Sequence, residues 1–335
     1  MKKAFLLLMI GFMGLGTFVS AAETVDVTIP NGASLDRIIQ VLSDDGIIAN
    51  QFFFKVYVKT KKLGNKFRAG TFLLSPDYSY ARISNILQEK EGAASLTKVT
   101  IPEGYTLKEI AETLEKKGVI PNAKAFRDYV NRKGKSELQS EFEFLNHVPT
   151  RKLEGYLFPE TYLFAKNGSH KSILRGFLSQ FETTLFPLWN ASDKKMSLHK
   201  TATMASIIEK ESYGTDEMKK ISGVFHSRLK KRMLLASCPT VSYALGKPRK
   251  RFLFYSDLEV KSPYNTYRRH GLPPTPIAAP GVQAFLAALY PNKTPYLYFV
   301  ANGDGSHQFS KTLREHLNRQ KRILATQKHG KGIAF

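Results

Sequence analysis

Cysteine is almost absent from this chain of 335 residues: Cys238 stands alone. That excludes an intramolecular disulfide and a cysteine-based zinc site, so the fold must rest on its hydrophobic core. Acidic residues are scarce as well. Lys and Arg number 50 against 28 Asp and Glu, a net charge of +22 with a pI near 9.8. Such a field favours anionic partners: nucleic acid, anionic lipid head groups or an acidic polymer such as a cell wall. Several signatures are missing altogether. There is no GxxxxGK[ST] or GxGxxG loop, no HExxH pair and no GxSxG elbow. The eight histidines show no metal-ligand spacing, so neither a metal nor another cofactor is expected. What remains is an ordinary globular composition, 42% hydrophobic, long enough for two or three domains.

The N-terminus narrows the choice of partner. Met1-Lys2-Lys3 is followed by an uncharged run, residues 4–19, and then by the small residues Ser20-Ala21-Ala22. This is the layout of an export signal. The run is slightly short for a membrane span of ~20 residues, so residues 1–22 read either as a cleaved signal peptide or as an anchor. Both place the rest of the chain outside the cytoplasm, which argues against nucleic acid.

A repeat of period 72 follows. VTIPNGASLDRIIQVLSDDGIIANQFFFKVYV (27–58) recurs as VTIPEGYTLKEIAETLEKKGVIPNAKAFRDYV (99–130). Each copy reads as a short strand, a turn, an amphipathic helix, a glycine stop and a second helix. Ser34 suits an N-cap in the first copy, and Thr106 with Glu109 a capping box in the second. Gly118 suits the C′ position. Between the copies, 67–74 has strand character, Pro76 breaks it, and 81–90 suits a helix. Further on, 151–168 reads as an aromatic loop, and helices are expected over 172–184, 198–212, 217–230 and 282–289. The proline-rich stretch 233–280 reads as ordered loops. A hairpin is expected from strands 296–301 and 306–310 around Asn302-Gly-Asp-Gly, before a last helix opened by Thr312 and Glu315. The expected fold class is α+β. Its parts are an export segment (1–22), a first repeat (24–98), a second repeat with the aromatic loop (99–168) and a mixed α+β domain (169–335).

Candidate chemistry lies in four places. In Met204-Ala-Ser-Ile-Ile-Glu209-Lys-Glu211, helical phasing puts Met204, Ile207, Ile208 and Glu211 on one face and Glu209 opposite, toward solvent. A carboxyl set against apolar side chains holds its proton toward neutral pH, as a general acid must. The same pattern also fits a stripe-end carboxylate fraying into water. Glu154-Gly-Tyr156-Leu-Phe-Pro-Glu160 interleaves acids and aromatics, which suits sugar binding or a satellite core. Ser262-Pro-Tyr264-Asn265-Thr266-Tyr267-Arg268-Arg269 offers aromatic platforms, amide and hydroxyl groups, and a guanidinium pair. His307-Gln-Phe309 contains a histidine of structural or functional use.

Together these segments resemble the YceG-like family of endolytic murein transglycosylases. The resemblance rests on EGYLFPETY (154–162), ASIIEKES (205–212), the F-x-x-RL of 225–229, PTVSYALG (239–246), SPYNTY (262–267), GLPPTPIA (271–278), Pro280-Gly281 and TPYLYFVANGDGSHQFS (294–310), in the family's order. A LysM-like unit around FRAGTF (67–72) also fits. The resemblance implies cleavage within nascent peptidoglycan strands between N-acetylmuramic acid and N-acetylglucosamine. The products are 1,6-anhydro ends, and Glu211 is the acid/base. It further implies a single-pass anchor in the inner membrane, a periplasmic catalytic domain, glycan strands as partner and cell-wall synthesis proteins as possible further partners. Glu154, Tyr156, Glu160, Tyr264 and Asn265 are the candidate substrate contacts. The alternative is a non-catalytic peptidoglycan-binding scaffold. Two positions depart from the family pattern: Cys238 stands where Asp is usual, and Ala279 where Asn or Thr is frequent.

Overall fold

The computed structural model describes residues 25–88, 96–212, 214–248, 252–326 and 333–334. The export segment lies outside them. The chain divides into two compact units, Met1–Glu89 and Lys90–Phe335.

In the first unit β1 (Val25–Ile29), α1 (Leu35–Asp44), α2 (Gln51–Thr60), β2 (Gly70–Leu74) and α3 (Tyr80–Gln88) follow in order. Ser34 caps α1 and Asn50 caps α2, each accepting from a first-turn N–H. The strands β1 and β2 pair antiparallel, with Val27 opposite Phe72. Val27, Ile38, Leu42, Phe54, Phe72 and Ile83 close the core of this unit.

The second unit begins by repeating the plan with β3 (Leu96–Thr100), α4 (Leu107–Lys116) and α5 (Ala123–Tyr129). The Thr106–Glu109 capping box forms, and Gly118 takes a φ of 70° after the helix. A π-helical turn over Val130–Gly134 leads into α6 (Lys135–Leu138). The return strand is β4 (Thr161–Ala165), antiparallel to β3. The repeat is visible down to one side-chain pair. Thr28 and Thr71 hydroxyls meet at 3.0 Å across the first sheet, 43 residues apart, and Thr100 and Thr161 meet at 2.9 Å across the second, 61 residues apart. The longer excursion of the second copy carries the Glu154 segment. Its final strand lies in the stretch expected to be an aromatic loop. Pro159 and Glu160 mask it locally, and the pairing with β3 fixes it.

Next come α7 (His170–Thr184), α8 (Phe186–Asn190), α9 (Leu198–Glu211) and α10 (Met218–Lys230). Residues 201–208 of α9 are all buried, so this helix is the axis of the unit rather than a surface helix with one apolar face. Thr, Ala and Ser at those positions leave room for a close neighbour. The proline-rich stretch, expected as loops, contains α11 (Cys238–Ala244) and the short β5 (Phe252–Leu253). The chain then forms α12 (Val282–Leu289), which packs on α9 and buries Ala284, Phe285, Ala287 and Ala288. The hairpin of β6 (Tyr298–Ala301) and β7 (His307–Ser310) follows, then α13 (Leu313–Thr326) and β8 (Ile333–Ala334), which pairs with β5. One continuous core runs from Val99 to Phe309, so the second repeat and the helices after it share their interior.

Candidate active site

The axial helix α9 ends on Glu211, and Ser212 turns the chain into an extended conformation. Glu211 therefore projects from the rim of the core, half-buried. It opens into a cavity of about 410 Å³ walled by Arg228 of α10, Leu235, Cys238, Tyr267, the β6–β7 hairpin and one face of α13. Leu313, His316, Leu317 and Gln320 supply that face at helical spacing. Tyr255, Leu313 and Leu317 are exposed, giving the cavity an apolar rim. Among the described residues lining it, Glu211 alone carries a carboxylate.

Ser237 holds Glu211 in place. It is the N-cap of α11, but its hydroxyl caps nothing and donates instead to Glu211 Oε1 at 2.5 Å. Buried hydroxyls fix Ser237 in turn. Its N–H donates to Thr266 Oγ1 at 3.0 Å, its carbonyl accepts from Thr240 Oγ1 at 2.6 Å, and the two threonine hydroxyls lie 2.9 Å apart. Ala236, next to it, has a φ of 47°, a costly conformation for alanine that the surroundings impose. Burial pushes the Glu211 carboxyl up to about 7, against the Ser237 bond and the positive charge of Arg228, which both favour the carboxylate. Cys238 lies in the same wall, its sulfur 2.9 Å from the Tyr267 hydroxyl. Burial pushes its thiol up to about 12, so it is a neutral residue of the wall. His307 also lines the cavity and donates from Nδ1 to Glu217 Oε2 at 2.7 Å.

The other sequence candidates are placed elsewhere. Glu154 and Tyr264 share a separate cavity of about 440 Å³. There Glu154 is buried, accepting the Leu107 N–H at 2.7 Å and the Tyr243 hydroxyl at 3.0 Å, which ties α4 to α11. Burial raises its carboxyl to about 7. The Tyr264 ring packs against Tyr243 at a tilt of 53°, and its hydroxyl lies 2.8 Å from that of Thr275. Tyr156, expected as a substrate contact, is wholly internal against Phe144 and Phe181. His199 Nε2 must donate to the Pro274 carbonyl, so its Nδ1 accepts the Tyr156 hydroxyl. Asn265 is also wholly buried. Its amide donates to the Leu258 and Val260 carbonyls and accepts from the Tyr267 N–H, so it staples the loop that carries Tyr267. Neither Tyr156 nor Asn265 has a face to offer a ligand. Glu160 is exposed, its carboxylate on the Thr161 N–H. Glu209, expected in solvent, instead accepts the Gly281 N–H at 3.0 Å. Burial and the nearby Glu103 raise it to about 7. Helical phasing placed it opposite Glu211 correctly, but chain from elsewhere covers that side too.

Ser237 and Arg228 escaped sequence reasoning, although both lie in or beside recognisable segments: Ser237 just before PTVSYALG, Arg228 in F-x-x-RL. The model of the YceG-like family matches residues 27–322. The chain belongs to the YceG-like family. It is 36% identical over 314 residues to the endolytic murein transglycosylase of Bacillus subtilis, covering 91% of this chain and 86% of that protein. It is 28% identical over 328 residues to the protein of the same name from Streptococcus pneumoniae D39, where the match spans 89% of this chain and 59% of the relative. A yceG-like protein of Listeria monocytogenes of known structure superposes with a TM-score of 0.62 at 36% identity, covering 89% of this chain and all of the other. Likeness to these YceG-like proteins thus extends over both units.

Proposed function

We propose that this protein is an endolytic murein transglycosylase, a lyase that cleaves peptidoglycan strands internally with Glu211 as its one acid and base. The observation that carries this is the lone carboxyl in the α9–hairpin cavity, raised to about 7 and held by Ser237 on one oxygen only. Ser237 donates to Oε1, so the proton of the acid form sits on Oε2, which has no partner among the described residues and faces the substrate. Glu211 gives this proton to the glycosidic oxygen between N-acetylmuramic acid and N-acetylglucosamine as the bond to the muramyl C1 breaks. The substrate's own acetamido group stabilises the oxocarbenium-like centre. The Glu211 carboxylate then takes the proton of the muramyl C6 hydroxyl, whose oxygen closes on C1 to give the 1,6-anhydro sugar. No water is consumed and no second enzymatic carboxylate is required, unlike the two-acid pattern of most glycosidases.

In this reading residues 1–22 anchor the protein by a single pass in the inner, cytoplasmic membrane and the remainder faces the wall. No described helix is long and apolar enough to cross a membrane. The strand–helix–helix–strand units act as LysM-like modules that hold glycan, and cuts in nascent strands end their elongation, alongside cell-wall synthesis proteins. The net charge of +22 suits retention at an acidic wall. Digestion of purified sacculi tests the core of the proposal. Mass spectrometry should find anhydro-muropeptides, and Glu211→Gln should cut their release by at least about 100-fold. An undiminished variant refutes the site. A wild type that pellets with wall material yet releases no anhydro product points to the scaffold alternative.

A further inference from the structure

Arg228 is 9% exposed, yet it makes no ion pair among the described residues. A buried guanidinium normally meets a carboxylate, because removing an ion from water is costly. Here backbone carbonyls take that place. Nε donates to Leu297 O at 2.6 Å, and Nη1 donates to Leu235 O at 2.6 Å and Leu234 O at 3.4 Å. Three of the five N–H groups are thus used. The two on Nη2 have no partner among the described residues, and Nη2 is not among the polar atoms sealed from solvent without one. Arg228 is one of the residues that line the Glu211 cavity. The guanidinium lies over the Tyr298 ring, 5.0 Å from its centroid, and His316 stacks on the same tyrosine. The plane of the fork is therefore set before any ligand arrives. Among the described lining residues Arg228 is the only lysine or arginine.

A fixed pair of N–H donors aimed into a cleft recognises a carbonyl or carboxylate oxygen. The proposed substrate alternates two sugars that share the acetamido group and differ only in the lactyl ether on C3 of the muramyl residue. That ether ends in a carbonyl carbon, amidated by the peptide or free as a carboxylate. We propose that Arg228 is the specificity residue of the cavity, its Nη2 edge taking the lactyl carbonyl oxygen and so fixing which sugar sits beside Glu211. The inference rests on the reading of this cavity as the glycan cleft.

The test is binding by calorimetry to the full chain carrying Glu211→Gln, which prevents turnover. The probes are peptide-free muramyl–glucosaminyl tetrasaccharide with its lactyl carboxylates free, the same oligomer methyl-esterified, and chitin tetramer, which lacks the lactyl group. The expected order is free acid, ester, chitin, with at least tenfold between the first and the last. Adding Arg228→Lys should compress that range below threefold, chiefly by weakening binding of the free acid. Full retention of the preference in the lysine variant overturns the proposal. Arg228 also staples two loops, so a variant that does not fold leaves the decision to the Arg228-intact protein. A preference there for acid over ester supports a contact to the cavity's one fixed cation, and equal binding of acid, ester and chitin overturns it. Failure to bind any of the three glycans refutes the glycan cleft itself, which separates that outcome from a fault in the Arg228 assignment alone.

Discussion

At Glu211 two influences oppose each other. Burial favours the acid, while the Ser237 hydroxyl and the Arg228 charge favour the carboxylate, and burial prevails at about 7. A carboxyl raised this far is protonated below that pH, so kcat/KM should hold on the acid side and fall as pH rises through about 7. Ser237→Ala removes a donor that stabilises the carboxylate. The alkaline limb should then move to higher pH, and kcat should drop by about 10- to 100-fold as the carboxyl loses its orientation. A pH–rate profile decides both. An unmoved limb means that Ser237 does not act through Glu211. The legible part of this site was Glu211, because a carboxyl closing an apolar helical stripe shows in about two turns of phasing, from Met204 to Glu211. Ser237 was illegible, since nothing local says that an N-cap hydroxyl will turn away from its own helix toward a carboxylate 26 residues back in the chain.

At the scale of elements, close approach decides more than propensity. Gly223 on α10 lies against the Asn292 carbonyl, and a Cβ there would stand 2.2 Å from that oxygen. Gly118 has a φ of 70° but open space around it. Gly223→Ala should therefore cost about 1–3 kcal/mol through overpacking, while Gly118→Ala should cost roughly 1 kcal/mol through backbone strain alone. Thermal melts should show the first variant well below the second, and the reverse order would mean that the loop at Asn292 yields freely. Caps and stops such as Ser34, Thr106–Glu109 and Gly118 were legible because each acts within one helical turn. β4 and α11 were not, because prolines nearby announce loops while their partners lie far along the chain.

At the scale of the molecule, three carboxyls among the described residues are raised to about 7 by burial: Glu154, Glu209 and Glu211. A folded pKa above the ordinary value of 4.5 means that the native state binds protons the unfolded chain has released. The contribution is full below 4.5 and is lost as pH rises through about 7. Melting temperature should accordingly be higher near about pH 5 than near about pH 8. Glu209→Gln should flatten that slope, since an amide accepts the Gly281 N–H without ionising. Parallel slopes for the two proteins would show that Glu209 titrates normally. The core that closes by Leu87 and the one that opens at Val99 follow the 72-residue repeat, yet the second copy is merged into a larger interior.

The amino-acid order alone determined the repeat, the helix caps, the hairpin, the likeness to a family and the prominence of Glu211. All of these are local or recurrent patterns, written in residue type and spacing. Only the tertiary structure decided which acid shares a cavity with which cation, and why Tyr156 and Asn265 are wholly buried while Ser237 bonds Glu211 and Arg228 lines its cavity. The reason is physical: burial, desolvation and hydrogen-bond saturation depend on neighbours brought from distant parts of the chain, and no local pattern encodes them.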